Sequence, residues 1–260
     1  MNLVLRLLIV GLITVTCNHA RAQIQYSINE ANVDKYRGFA YFDVSGHLLG
    51  TTGMGFSGGA MSQYRLPALP ITLSGRFKYE AVGLGKVLYK GEAYGKSRMI
   101  DLTAMMPLIP ARKKEGKVKV TTKYEAYTTS TYEEYFYAQG QVKNQLLARA
   151  GIFQYWTSGN FTSSGLSAGL ALRMLKHVDV TLSDEKGYYR EVNINRQIYA
   201  DILYAPIVKG IGEGETLDIG GRIGYLSVAS DAMCWYTELE LRPGSIGTLT
   251  FGWIFGWDLE

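Results

Sequence analysis

The stretch MCWYTELELRPGSIGTLTFGWIFGW, residues 233–257, decides the fold class. It divides into two segments of strict alternation around Pro243-Gly244-Ser245. In the first, Met233, Trp235, Thr237, Leu239 and Leu241 share one face, and Tyr236, Glu238, Glu240 and Arg242 share the other. In the second, Leu249, Phe251, Trp253, Phe255 and Trp257 oppose Thr248, Thr250, Gly252, Ile254 and Gly256. Side chains change sides at every residue of an extended strand, so the period of two predicts a β-hairpin. A face of large aromatic and aliphatic side chains opposite small and charged ones fits a wall between lipid and water.

The same pattern recurs upstream. In residues 71–81, Ile71, Leu73, Phe77, Tyr79 and Ala81 oppose Thr72, Ser74, Arg76, Lys78 and Glu80. In residues 188–204, Val192, Ile194, Ile198, Ala200 and Ile202 oppose Glu191, Asn193, Asn195, Gln197, Tyr199 and Asp201, with Arg196 the one charge on the apolar side. Leu166, Ala168, Leu170, Leu172 and Met174 also fall on alternate positions, as do Leu217, Ile219, Gly221, Ile223 and Tyr225. Residues 38–46, 51–64, 86–90 and 99–108 read as further strands, and residues 118–128 with 131–142 as a Tyr- and Thr-rich pair. Residues 145–156 are ambiguous, because Leu and Ala also favour helix. Arg112-Lys113-Lys114 with Glu115-Gly116 reads as a hairpin tip, and residues 23–35 as a polar lead-in.

The expected architecture is therefore all-β: an antiparallel up-and-down transmembrane barrel of about 12 strands, with about 10 the alternative, since roughly 20 residues serve each strand and its loop. Residues 1–22 carry a basic start, a short apolar run and Ala20-Arg21-Ala22, which predicts a signal peptide cleaved before Gln23. Residues 23–260 then form a single barrel domain. Cys17 follows Thr14-Val15-Thr16, a poor match to a lipoprotein signal. Loss of Arg6 and Arg21 with the signal takes 27 Lys+Arg to 25 against 23 Asp+Glu, a net of +2 that argues against a nucleic-acid partner. Cys234 is left as the one mature cysteine, so no intramolecular disulfide is expected, and His47 and His177 give little for a metal.

Thr250, Gly252, Phe255 and Trp257 resemble the C-terminal assembly signal of bacterial outer-membrane β-barrel proteins: a polar residue, a Gly two positions on, then two large apolar residues spaced by two. Asp258-Leu259-Glu260 follow, where many such barrels end on the aromatic residue. The resemblance implies outer-membrane localisation, lipid as a surrounding partner, and insertion by the barrel-assembly machinery. Strands can cross hydrocarbon only as a closed barrel, because every backbone amide must be paired internally. Trp156, Trp235, Trp253 and Trp257 are candidates for interfacial girdle positions.

With the apolar faces toward lipid, the candidate lumen lining is Arg76, Lys78, Glu80, Glu191, Asn193, Asn195, Gln197, Asp201, Glu238, Glu240 and Arg242. Such a lining is either a polar channel for a small solute or a plugged lumen whose charges satisfy one another. His177, Asp179 and Ser183 form the one grouping that resembles catalytic material, and an ordinary hairpin accounts for it better. Glu238 and Glu240 read as a solvated strand face rather than an acid–base pair. The glycine loop at residues 209–215 lacks the Lys-Ser/Thr of a phosphate loop. Asn160-Phe161-Thr162 fits a glycosylation sequon, without meaning in a bacterial envelope. No pattern points to a cofactor.

The leading expectation is a non-catalytic pore, small-solute channel or envelope scaffold of the outer membrane. The alternatives are a soluble periplasmic barrel with its apolar face turned inward around a hydrophobic ligand, and a lipid-modifying outer-membrane enzyme. Alternation by itself does not fix which face is outside.

Overall fold

The structure, a computed structural model, describes residues 25–35, 37–49, 53–83, 97–125, 131–157, 162–183, 189–209, 218–230, 234–241 and 248–259. The expected signal peptide, the strand at residues 86–90, Asn160 and Phe161 of the glycosylation sequon, the turn at Pro243 and Arg242 lie outside them. Every described element is a strand. They are β1 (Tyr26–Glu30), β2 (Gly38–Leu49), β3 (Gly53–Arg65), β4 (Thr72–Gly83), β5 (Ser97–Pro107) and β6 (Lys113–Glu125). Then come β7 (Thr131–Thr157), β8 (Thr162–Leu182), β9 (Tyr189–Lys209), β10 (Ile219–Ala229), β11 (Cys234–Leu241) and β12 (Thr248–Leu259).

All pairings are antiparallel. From β2 to β5 and from β7 to β12 each strand pairs with its wall neighbours, and β12 returns to β2 with Phe255 opposite Phe42 and Trp253 opposite Val44. Twelve strands are described; ten of them close the wall, the number given above as the alternative for the barrel, and β1 and β6 lie outside it. Closure leaves no free edge around the ring, which a protein with such apolar strand faces requires.

Two expectations change. Residues 131–142 and 145–156 are one strand of 27 residues, β7. Its later part pairs with β5 from Thr157 to Leu147, and its earlier part pairs with β6 from Lys143 to Thr131. β5 stops at Pro107, which has no amide hydrogen to offer, and the edge of β7 beyond it is taken by β6. For the same reason Lys113–Gly116 is not a hairpin tip: it is the first turnless stretch of β6, in register with Lys143 to Gly140. A paired strand satisfies those backbone groups, and the basic side chains stay exposed on its surface.

The apolar face is outside. Phe42, Ile198, Ile202, Ile223, Leu239, Phe251 and Trp253 are all about half exposed or more, and each belongs to the alternating apolar set of its strand. Leu73, Phe77, Ile100, Leu102, Leu166, Leu170 and Leu172 continue the belt around the other strands. The opposite faces hold Arg76, Lys78, Asp101, Asn195, Gln197, Asp201 and Glu238, all buried inside the ring. A soluble barrel around a hydrophobic ligand needs the reverse arrangement.

A second, smaller core lies outside the ring. There β6 and the first half of β7 pack Val118, Val120 and Ala138 against Val178, Val180 and Val192 on the outer faces of β8 and β9. Strand β1 borders this core: it pairs with the end of β8, and the Tyr26 ring sits 4.6 Å from that of Phe136. Both β2 and β12 present their terminal ends, Gly38 and Leu259, as cross-strand partners. This is the end of the barrel that carries the outer core, and it is called the terminal end below.

Candidate functional site

The candidate site is the lumen, and buried side chains fill it, with apolar clusters toward both ends and paired charges between. Toward the terminal end, the inward side chains Phe39, Tyr41, Met61, Leu175, Val228, Cys234 and Ile254 form one buried apolar cluster. Val33 completes it with no exposed surface. Val33 belongs to the segment between β1 and β2, residues 31–35, which straps across this mouth.

The strap is held by its backbone and by one carboxylate. The Val33 amide donates to Gln141 Oε1 at 3.1 Å, and the Asn32 amide donates to His177 Nδ1 at 2.9 Å. Asn32 Oδ1 in turn accepts from the Asp34 amide at 3.1 Å, a side-chain-closed turn that projects Asp34. Arg65 and Lys143 each approach Asp34 Oδ1 at 2.8 Å, and Lys113 pairs with Oδ2. Burial pushes the Asp34 carboxyl up, but hydrogen bonds from Lys113, Lys143 and Arg65 outweigh it and hold the group well below its ordinary 3.8.

The middle of the lumen is an ionic network built on a regular local device. Tyr199 faces Gly224 on β10, and Tyr236 faces Gly252 on β12. A Cβ at Gly224 would stand 2.2 Å from Tyr199 Cζ, and one at Gly252 would stand 2.1 Å from Tyr236 Cε1. Each tyrosine ring therefore lies flat across a glycine on the next strand, and only glycine leaves that room. The flattened rings become floors for cations: Arg149 stacks over Tyr199 at 4.3 Å, and Lys78 over Tyr236 at 4.6 Å.

Carboxylates close the network. Arg76 binds Glu238 through two parallel bonds, one of 2.9 Å from Nη1 to Oε2. The Tyr199 hydroxyl donates to the same Oε2 at 2.5 Å. Arg149 Nε donates to Asp201 Oδ1 at 2.8 Å, and Arg222 Nη2 donates to Asp201 Oδ2 at 2.7 Å and also pairs with Asp101. The Tyr236 hydroxyl donates to Asp43 at 2.9 Å, with Lys78 Nζ 3.8 Å from that carboxylate. Between this layer and the apolar plug, Arg173 donates to Gln145 Oε1 and Thr72 Oγ1, and Gln63 bridges Asn195 and Gln197. Buried charges persist only when paired and hydrogen-bonded, and these partners come from nine of the ten wall strands and so tie the wall across its diameter.

Of the expected lining, Arg76, Lys78, Asn193, Asn195, Gln197, Asp201, Glu238 and Glu240 are buried in the lumen. Glu191 sits at the terminal mouth and is partly exposed. The Glu80 side chain and Arg242 are outside the described residues. Sequence reading missed Asp43, Asp101, Arg149, Arg173 and Arg222. Each falls between outward apolar neighbours (Phe42 and Val44 around Asp43, Ile100 and Leu102 around Asp101), so the same parity rule applied to every strand finds them. The strap and Val33 carried no such signal.

His177, Asp179 and Glu191 bring one donor atom each within 4.8 Å of one another, an arrangement that could hold a metal ion. The protonation pattern argues against it. His177 Nδ1 accepts the Asn32 amide, so the neutral ring carries its proton on Nε2, which faces Glu191 Oε1 at 3.3 Å. A cation is also already present: Lys35 Nζ lies 3.5 Å from Asp179 and 4.0 Å from Glu191. Glu191 first, then Asp179, hold the Lys35 ammonium above its ordinary value against the cost of burial. Among the described residues no hydrogen bond joins His177 to Ser183: the imidazole is engaged by Asn32 and Glu191, and the Ser183 amide donates to the Gln25 carbonyl. No protein-family model matches the chain, and no curated protein matches it in sequence.

Proposed function

We propose that this chain is a non-catalytic β-barrel of the bacterial outer membrane that serves as a closed envelope scaffold rather than as an open channel. The observation that carries the reading is the combination of a half-exposed apolar belt around a closed ring with a lumen crossed by paired charges. A soluble protein rarely leaves an apolar belt of that extent in water, whereas an apolar band on the outer wall is what hydrocarbon demands. The signal-like residues 1–22 and the assembly-signal match at Thr250, Gly252, Phe255 and Trp257 support export and membrane insertion. The strap at Val33 and the Arg76–Glu238 and Arg222–Asp201 pairs favour a plugged lumen over a pore.

The test has two parts. The full chain, expressed with its N-terminal segment in a Gram-negative host, is expected in the outer-membrane fraction and to change gel mobility on boiling in detergent. Reconstituted in a planar bilayer, the folded protein is expected to give no discrete conductance steps. Release with the periplasmic contents would sink the membrane reading, and steady steps would replace the scaffold by a small-solute channel.

A further inference from the structure

The outer wall carries a cluster that departs from the rule of the lumen. Inside, the buried arginines face carboxylates or amides. Outside, Lys114, Lys176 and Arg196 stand close together, and among the described residues none of them is ion-paired. The register fixes the grouping. Lys114 on β6 and Lys176 on β8 are both cross-strand partners of Val142, so all three side chains leave the same outward face, with the two lysine Cα atoms about 10 Å apart at ~4.8 Å per strand. Arg196 is the partner of Met174, one same-face step along from Lys176. Arg196 and Lys114 both repel the Lys176 ammonium. Three like charges held together disfavour the fold, and an anion among them reverses the sign of that interaction.

An apolar groove of about 630 Å³ adjoins the cluster. Ile109, Pro110, Leu146, Leu172, Met174 and Ile198 line it, and Arg196 stands on its wall. Leu172 and Ile198 belong to the outward apolar belt, and the cations mark its lower limit, where the wall meets the outer core at Val178 and Val192. An apolar slot with a cationic end matches an amphiphile with an anionic head.

We propose that this groove binds one anionic glycerophospholipid, with an acyl chain along Leu146, Leu172 and Ile198 and its phosphate held by Lys114, Lys176 and Arg196. The inference rests on the membrane-barrel reading above. Arg196 offers a planar fork that bonds two phosphate oxygens, and the two lysines add point charges on either side. Basic pockets at the edge of the apolar band are the places where membrane proteins select anionic headgroups. The adjoining chain-sized slot is what distinguishes a lipid from free phosphate here.

The experiment titrates phosphatidylglycerol or phosphatidylcholine into the folded full chain in a non-ionic detergent and follows bound lipid by native mass spectrometry. One phosphatidylglycerol is expected to bind at least tenfold more tightly than phosphatidylcholine. Lys176→Gln with Arg196→Gln is expected to erase that preference, and Leu172→Trp, which fills the slot, to weaken both lipids. Inorganic phosphate at millimolar concentration is expected not to displace the lipid; displacement would reassign the cluster to a free anion and overturn the proposal. Equal binding of the two lipids, or binding indifferent to both variants, would overturn it as well. If the double variant fails to fold, the preference of the unaltered chain and its collapse in high salt still decide. The boiling-dependent gel shift is read on the same preparation: its absence sinks the membrane reading itself, whereas a retained shift without lipid preference sinks only the lipid site.

Discussion

Glu238 is, with Asp201, one of two carboxylates that gather the lumen network, and the effects of perturbing it and of perturbing its Arg76 partner should differ in a defined order. Glu238 receives both bonds of the Arg76 fork, the Tyr199 hydroxyl at 2.5 Å, and Arg222 Nε at 3.9 Å. Arg76, by contrast, has one ion-pair partner among the described residues, and its Nε has no hydrogen-bond partner there. Glu238→Gln therefore strands the Arg76 charge in a site that is almost wholly buried, at a cost of about 3–5 kcal/mol, the range for removing one member of a buried pair. Arg76→Met leaves Glu238 with Tyr199 and Arg222, and removes charge-assisted hydrogen bonds at about 1.5–3 kcal/mol. The pair should be compared by equilibrium urea unfolding in phospholipid vesicles, followed by tryptophan fluorescence. Glu238→Gln is expected to unfold at clearly lower urea than Arg76→Met, and the double variant to lose less than the sum of the two. Equal midpoints, or a Glu238→Gln loss under about 1 kcal/mol, would mean that the network is wetter and less coupled than these distances imply.

The lipid face is tested by Ile202→Arg, where Ile202 is 65% exposed: in a membrane barrel it should cost about 2–4 kcal/mol near the midplane, and in a water-facing wall its effect on urea unfolding should be negligible. Asp34 gives a pH dependence. Its folded-state pKa is depressed, so the stability it contributes is present above its unfolded value near 3.8 and is lost as pH falls through the lower folded value. Hydrogen exchange at the Asn32 and Val33 amides should accordingly rise in acid below about pH 4, and Asp34→Asn should show the faster exchange at neutral pH already. Gly252→Ala should cost about 1–3 kcal/mol, because a methyl group there meets the Tyr236 ring at 2.1 Å, and Tyr236→Ala in the same chain should remove most of the added loss. Val33→Asp should unseat the strap from the apolar plug, read as faster proteolysis of the N-terminal segment in a barrel whose gel shift on boiling is unchanged.

Parity made most of the wall legible. In residues 188–204, the alternation of Ile198, Ala200 and Ile202 with Gln197, Tyr199 and Asp201 appears in β9 with each side chain on the expected face. Gly252, singled out by its resemblance to an assembly signal, has a packing reason of its own in the Tyr236 ring. Residues 145–156 stayed ambiguous because local propensity for Leu and Ala competes with strand, and the competition is settled by pairing with β5 and β8. The place of Lys113–Gly116 in β6 was illegible for a related reason: a basic, glycine-containing run looks like a turn until a long neighbouring strand offers it an edge.

The sequence by itself determined that the chain is all-β and that each strand has one apolar and one polar face, since a two-residue period is a local property of extended backbone. It also determined which charges share a face, including Arg76 with Lys78 and Glu238 with Glu240. Only the tertiary structure decided that the apolar faces lie outside, because alternation is the same whichever way a sheet closes. It alone decided that ten strands form the ring, that β6 and the first half of β7 fold against the outer wall, and that Val33 stops the terminal mouth. Those outcomes depend on partners far apart in the chain, such as Arg76 with Glu238 and Asp34 with Lys143, and no local period records which distant residue a side chain will meet.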